Sequence, residues 1–158
     1  MKTEGGANKL SAALGDMLWL YSLSEIHQSW PIASLHKWLL PPLERGQYRL
    51  YHQGQRPVGF VTWAWMSEQV EQEYIHKKGA LDKHQWKTGD RIWIIDFIAP
   101  FGHAWMIAED LRQNRFSTDI GRFLRVKPGT ERMRIAYVHG VNAIAKARDT
   151  NLNTPVLT

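Results

Sequence analysis

Leu10, Leu14, Met17, Leu18 and Tyr21 recur at three- and four-residue steps, which puts them on one face of a helix over residues 10 to 23. The preceding MKTEGGANK is polar and Gly-containing, so residues 1 to 9 are expected to be flexible. Pro31 suits the first turn of a new helix. Ile32, Leu35, Trp38 and Leu39 then form a short stripe that Pro41-Pro42 is expected to close. The period changes to two in QYRLYHQ and PVGFVTWAWM, which read as strands joined by a turn near residues 54 to 57. In the second strand Val58, Phe60, Thr62 and Ala64 share one face, and Val61, Trp63 and Trp65 the other. SEQVEQEYIHKKG is a polar helix with Ser67 as N-cap and Gly79 as stop. RIWIIDFIAPFG follows, apolar on both faces, and predicts a central strand covered on both sides. AWMIAEDLRQNRF is an amphipathic helix. Basic strands over 122–126 and 132–138 flank a turn at Lys127-Pro128-Gly129, and DTNLNTPVLT reads as a tail.

With no repeat or linker, this order predicts one domain over residues 10–148, followed by a tail over 149–158. Its class is α/β (α+β), with a twisted, mostly antiparallel sheet flanked by helices. A length of 158 residues and a hydrophobic content of 44% suit a single core. No stretch has the layout of a secretory signal or the length of a membrane helix, so a cytoplasmic protein without stable membrane insertion is expected. The absence of Cys excludes disulfides and thiolate metal sites. Between Leu111 and Arg134 lie seven basic and two acidic residues, a surplus equal to the whole net charge of +5. Such a stretch is either a solvated surface or a face for nucleic acid, anionic lipid, a phosphorylated cofactor or an acidic protein.

Asp96 interrupts the apolar run, sharing a face with Ile92, Ile94 and Ile98. A buried carboxylate needs a cation or hydrogen-bond donors. Two readings stand: a salt bridge to an Arg, or a carboxylate that orients a histidine and supports its charge. Of seven histidines, His27 stands apart, at a helix-to-turn junction three residues after Ser24 and just before Trp30-Pro31. A Ser and a His at that spacing can face one pocket, although a Ser at a junction is more often a cap. The histidines have no metal-ligand spacing, and no phosphate-binding Gly loop or nucleophile elbow is present.

LWLYSLSEIHQSWP, LPPLERGQYRLY, PVGFVTWA, TGDRIWIIDFIAPFG and FLRVKP occur in that order. Across roughly residues 15 to 140 the chain resembles the lysine acyltransferases that activate RTX protoxins. The resemblance implies a GNAT-like fold and transfer of a fatty acyl chain from acyl carrier protein to ε-amino groups of internal protoxin lysines. No cofactor is implied beyond that acyl donor, and homodimerisation is compatible with it. By motif, His27 corresponds to the essential histidine, Ser24 to its nearby serine, and Asp96 to the catalytic aspartate. Some members carry an Asn shortly after the Trp-Pro pair, where this chain has Trp38, and the C-terminus is short for the family. An acidic carrier would give Arg122, Arg125 and Lys127 a partner. Two other classes remain: a GNAT-like N-acyltransferase using acyl-CoA on another amine, and a non-enzymatic nucleic-acid binder.

Overall fold

The computed structural model describes residues 4–126, 129–130, 132–149 and 156–157. Lys127 and Pro128 of the predicted turn lie outside them. Helix α1 (Glu4–Ser22) leads into a run of turns, a 3₁₀ turn (Ile32–Ser34) and two short helices, α2 (Leu35–Trp38) and α3 (Leu40–Glu44). Strands β1 (Tyr48–Gln53) and β2 (Arg56–Met66) form a hairpin, and α4 (Glu68–His76) precedes β3 (Arg91–Ile98). Helix α5 (Ala104–Asp110) runs into a π-helical turn (Leu111–Arg115), followed by β4 (Ile120–Val126), β5 (Met133–His139), α6 (Ile144–Asp149) and β6 (Val156–Leu157).

The strands are hydrogen-bonded in the order β1-β2-β3-β4-β5-β6. Pairs β1–β2, β4–β5 and β5–β6 are antiparallel, while β3–β4 is parallel, with α5 and the π-helical turn in the connection. The class is mixed α/β with a mostly antiparallel sheet, as expected, and is consistent with a GNAT-like fold. Among the described residues no helix is long and apolar enough to cross a membrane.

Contacts divide the chain into two compact units, residues 1–63 with 96–107, and residues 64–95 with 108–158. The chain passes from the first to the second inside β2, back inside β3 and again to the second inside α5. In the first unit Met17 and Leu20 of α1 are fully buried with Leu39, Leu43, Phe60 and Ile98. Burial of each such side chain contributes about 1.5–3 kcal/mol. Gly59 admits close packing here, because a Cβ would lie 2.5 Å from Ile107 Cδ1 and 2.7 Å from the Ile98 carbonyl oxygen. In the second unit Tyr74 meets Trp93 edge-on at 5.1 Å, and Trp86, Ile92 and Ile135 are also buried. Ser67 caps α4 as predicted, accepting from the Val70 N–H at 3.2 Å.

Several boundaries differ from expectation. Helix α1 starts at Glu4, inside the segment read as flexible, because hydrophobic spacing marks a helix's buried face and is blind to its solvated turns. Pro41 and Pro42 lie in the first turn of α3 instead of closing a helix, where their missing N–H groups cost no hydrogen bond. The expected tail contains the end of α6 and returns as β6 beside Met133 and Arg134. The β1–β2 turn is tighter than predicted and has Gly54 at φ +61°, a left-handed value that favours glycine.

Candidate active site

The candidate residues Ser24, His27 and Asp96 all belong to the first unit. After α1 the chain folds into successive turns: the Ser24 carbonyl accepts from the N–H groups of His27 (3.0 Å) and Gln28 (2.9 Å), and His27 accepts from Trp30 (2.9 Å). This winding turns both Ser24 and His27 inward. The Ser24 hydroxyl lies 2.7 Å from His27 Nδ1. Across the ring, His27 Nε2 lies 3.3 Å from Asp96 Oδ1, with the two side chains only 9% and 7% exposed.

Asp96 is held from two further directions. Tyr21 donates its phenol hydrogen to Oδ2 at 2.7 Å, and Thr62 donates its hydroxyl to the same oxygen at 3.3 Å. The Thr62 oxygen in turn accepts from the Asp96 backbone N–H at 3.1 Å. Among the described residues no Arg pairs with Asp96; the histidine reading of this carboxylate is the one the geometry matches. The strand is covered on both faces at Trp93, but Phe97 is 38% exposed, so the cover opens just past Asp96.

A carboxylate only accepts, so in the neutral imidazole the Nε2 hydrogen belongs to the bond with Asp96. Nδ1 then carries the lone pair and accepts from the Ser24 O–H. Tyr21 stacks on the imidazole face at 4.2 Å and 9°. Burial, then the negative charge of Asp96 and the hydrogen bond to it, push the Tyr21 phenol far above its ordinary range. Tyr21 is therefore a permanent donor at Asp96. Trp30 packs on the imidazole at 4.6 Å and lies 6.1 Å from Tyr21. Those centroid distances put Trp30 at the ring's edge, roughly at right angles to the Tyr21 stack. Serine, histidine and aspartate in hydrogen-bonded series is an arrangement for moving protons or activating a nucleophile.

Sequence reasoning missed Tyr21 and Thr62 as site residues. Each left a faint signal: a phenol on a buried helical stripe needs an acceptor, and so does a hydroxyl between Phe60 and Ala64 in an apolar strand.

The family model described as HlyC, RTX toxin acyltransferase family, matches residues 7–139. The chain belongs to that family. A protein-lysine myristoyltransferase, RtxC, of Kingella kingae is 35% identical over 133 residues, which is 84% of this chain and 79% of the relative. The RTX-II toxin-activating lysine-acyltransferase ApxIIC of Actinobacillus pleuropneumoniae is 37% identical over 128 residues, 80% of this chain and 79% of that one. The protein-lysine palmitoyltransferase CyaC of Bordetella bronchiseptica is 37% identical over 132 residues, 82% of this chain and 70% of that one. The chain is thus an acyltransferase, and the matched span contains Ser24, His27, Thr62 and Asp96.

The basic residues are arranged differently from what their summed charge suggests. Arg122 points to the buried side of β4, its side chain only 16% exposed, with Nε 3.2 Å from Glu71 Oε1. Glu71, itself buried, also accepts from Arg91 Nη1 at 2.7 Å and Trp93 Nε1 at 2.8 Å. Arg122 is a packing cation, with its charge matched in place. Arg125 is exposed on the opposite face of β4, directly across from exposed Arg134 on β5. Lys127 lies outside the described residues.

Proposed function

We propose that this chain transfers a fatty acyl group from acyl carrier protein to ε-amino groups of internal lysines of an RTX protoxin, in the cytoplasm, and thereby activates the toxin. The protoxin and lysine substrates follow from family membership together with relatives named as toxin-activating lysine-acyltransferases. The fatty acyl class follows from relatives named as a myristoyltransferase and a palmitoyltransferase. The carrier protein as donor is supported by exposed Arg125 and Arg134, which suit an acidic partner.

The observation that carries the mechanism is the series Ser24–His27–Asp96, closed at 2.7 and 3.3 Å. A lysine ε-amine has an ordinary pKa near ~10.4 and arrives protonated. The Ser24 hydroxyl passes its proton to His27 Nδ1 and takes one from the incoming ammonium, which frees the amine lone pair. The amine attacks the thioester carbonyl, the C–N bond forms and the C–S bond breaks. The imidazolium, held by Asp96, returns its proton to the departing thiolate, and the newly acylated nitrogen releases its remaining extra proton to water. Tyr21 and Thr62 act as positioning residues, because they touch Asp96 and not the reacting atoms.

The 2.7 Å contact also favours a second reading, in which Ser24 Oγ attacks the thioester first and an acyl-Ser24 ester is then resolved by lysine. The test is intact-mass analysis of a lysine-containing protoxin fragment incubated with the enzyme and acyl carrier protein loaded with one fatty acid. The expected result is a mass gain of one acyl group on the fragment, lost in His27→Ala. Transfer from acyl-CoA but not from the carrier would overturn the donor assignment. Wild-type turnover by His27→Ala would overturn the base assignment. An acyl adduct on the enzyme itself before lysine is added would select the acyl-serine path.

A further inference from the structure

The segment beside His27 exposes more apolar surface than its packing requires. Ile26 is 71% and Ile32 80% exposed, and Leu23 is 44% exposed, all within ten residues of the imidazole. Single exposed apolar residues are ordinary, but a concentration of them marks a binding surface. Between the two isoleucines in sequence lies Trp30, half-buried and at the edge of the imidazole. Trp38, also half-buried, continues from it at 5.9 Å. The Lys37 ammonium stands 5.1 Å from the Trp38 ring centroid, so a charge lies beside the second indole.

The indoles begin at the residue proposed to handle the acyl carbonyl's attacker and lead away from it. A fatty acyl chain joined to that carbonyl needs apolar cover for its methylenes. We propose that Trp30 and Trp38, flanked by Ile26 and Ile32, form the surface on which the donor's acyl chain lies, so that this segment sets chain-length preference. The assignment rests on the acyl-transfer reading of His27 but not on which carrier delivers the chain.

The experiment measures kcat/KM for donors of increasing chain length on one carrier, with wild type, Trp30→Ala, Trp30→Phe and the Ile26→Ser/Ile32→Ser double variant. Each buried methylene adds roughly fourfold to affinity. The ratio of long-chain to short-chain kcat/KM should therefore fall by about tenfold or more in Trp30→Ala and in the isoleucine pair. Trp30→Phe should restore part of it. The isoleucines are exposed, so the paired variant keeps its fold, and a thermal melt checks this. A second readout needs no turnover: a donor with a brominated acyl chain should quench tryptophan fluorescence in wild type and quench less in Trp30→Phe. An unchanged chain-length ratio in both Trp30→Ala and the isoleucine pair, or undiminished quenching, overturns the proposal. Running the series on carrier protein and on coenzyme A separates the two assignments, since a wrong carrier fails at every length, whereas a wrong acyl surface leaves the length dependence of the working donor untouched.

Discussion

Replacing Asp96 by Asn keeps the shape of the side chain and removes its charge. In the fold the amide can keep its oxygen on the Tyr21 and Thr62 hydrogens and donate its NH₂ to His27 Nε2, which moves the ring hydrogen to Nδ1 toward the Ser24 oxygen, so every contact keeps a partner. What changes is strength and the place of the ring hydrogen. Charge-assisted bonds contribute about 1.5–3 kcal/mol and neutral ones about 0.5–1.5, and the neutral amide escapes the desolvation cost of a buried charge, which offsets much of the weakening of three contacts, so the expected stability loss is about 1–2 kcal/mol. The rate should suffer more. When His27 takes the proton, its charge lies 3.3 Å from Asp96 Oδ1, which at an effective dielectric of ~20 is an attraction of about 5 kcal/mol. At about 1.4 kcal/mol per tenfold, loss of that attraction slows the step that makes imidazolium by roughly 10³- to 10⁴-fold. The assay is a thermal melt beside single-turnover acylation of a lysine-containing protoxin fragment. A small shift in melting temperature with a rate loss of that order is expected. A rate within tenfold of wild type would remove Asp96 from the chemistry. A stability loss of about 3–5 kcal/mol, the usual cost of breaking a buried pair, would make it a structural carboxylate.

Ser24→Ala should be milder than His27→Ala under the relay path, because a water can replace the hydroxyl; complete loss of acylation together with loss of an enzyme adduct would select the acyl-serine path. Tyr21→Phe removes the hydroxyl donated to Asp96 and should cost about 1.5–3 kcal/mol near neutral pH, read by denaturant titration. Because the Tyr21 phenol is pushed upward in the fold, the unfolded chain binds fewer protons above about pH 10, and wild-type stability should fall as pH rises from there through the folded pKa. Tyr21→Phe should lack that part of the alkaline loss, and parallel curves for the two proteins would refute it. Charge reversal at Arg125 and Arg134 should weaken carrier binding, with the difference from wild type growing as salt is lowered. Arg122→Glu should instead destabilise the fold, since it sets a second carboxylate against buried Glu71; a stable Arg122→Glu protein with impaired carrier binding would reverse these assignments.

The legible part of the site was local. Alternation in RIWIIDFI put Asp96 on the face of Ile92, Ile94 and Ile98, and all four are buried or nearly so. The spacing of Ser24 and His27 put two polar groups on one turn, where they hydrogen-bond. The hydroxyls that hold Asp96 come from residues 75 and 34 positions away, and no periodicity reaches that far. Tyr21 read as one more member of an apolar stripe because its ring does pack there; the oxygen at its tip carries the other half of its role. The basic stretch misled for a different reason. Arg122 and Arg125 stand an odd number of positions apart on one strand, which already assigns them to opposite faces, and summing their charges discarded that information. Helix ends were least legible because solvated turns and prolines in a first turn leave no apolar signature.

The two units each bury a carboxylate, and comparing the partners separates their roles. Glu71 is held by the guanidiniums of Arg91 and Arg122 and by the Trp93 indole N–H. Guanidinium stays charged at every pH a protein experiences, and an indole N–H does not titrate, so nothing around Glu71 can exchange a proton with it. Asp96 is held by two hydroxyls and an imidazole. The hydroxyls keep their hydrogens, Tyr21 most firmly of all, and the imidazole alone among these partners has a free lone pair on its far side that can take a proton and give it up. A proton arriving at Nδ1 is therefore balanced across the ring by a carboxylate whose other oxygen is already saturated. The same device, a buried acid, is structural where its partners are fixed cations and chemical where one partner can gain and lose a proton.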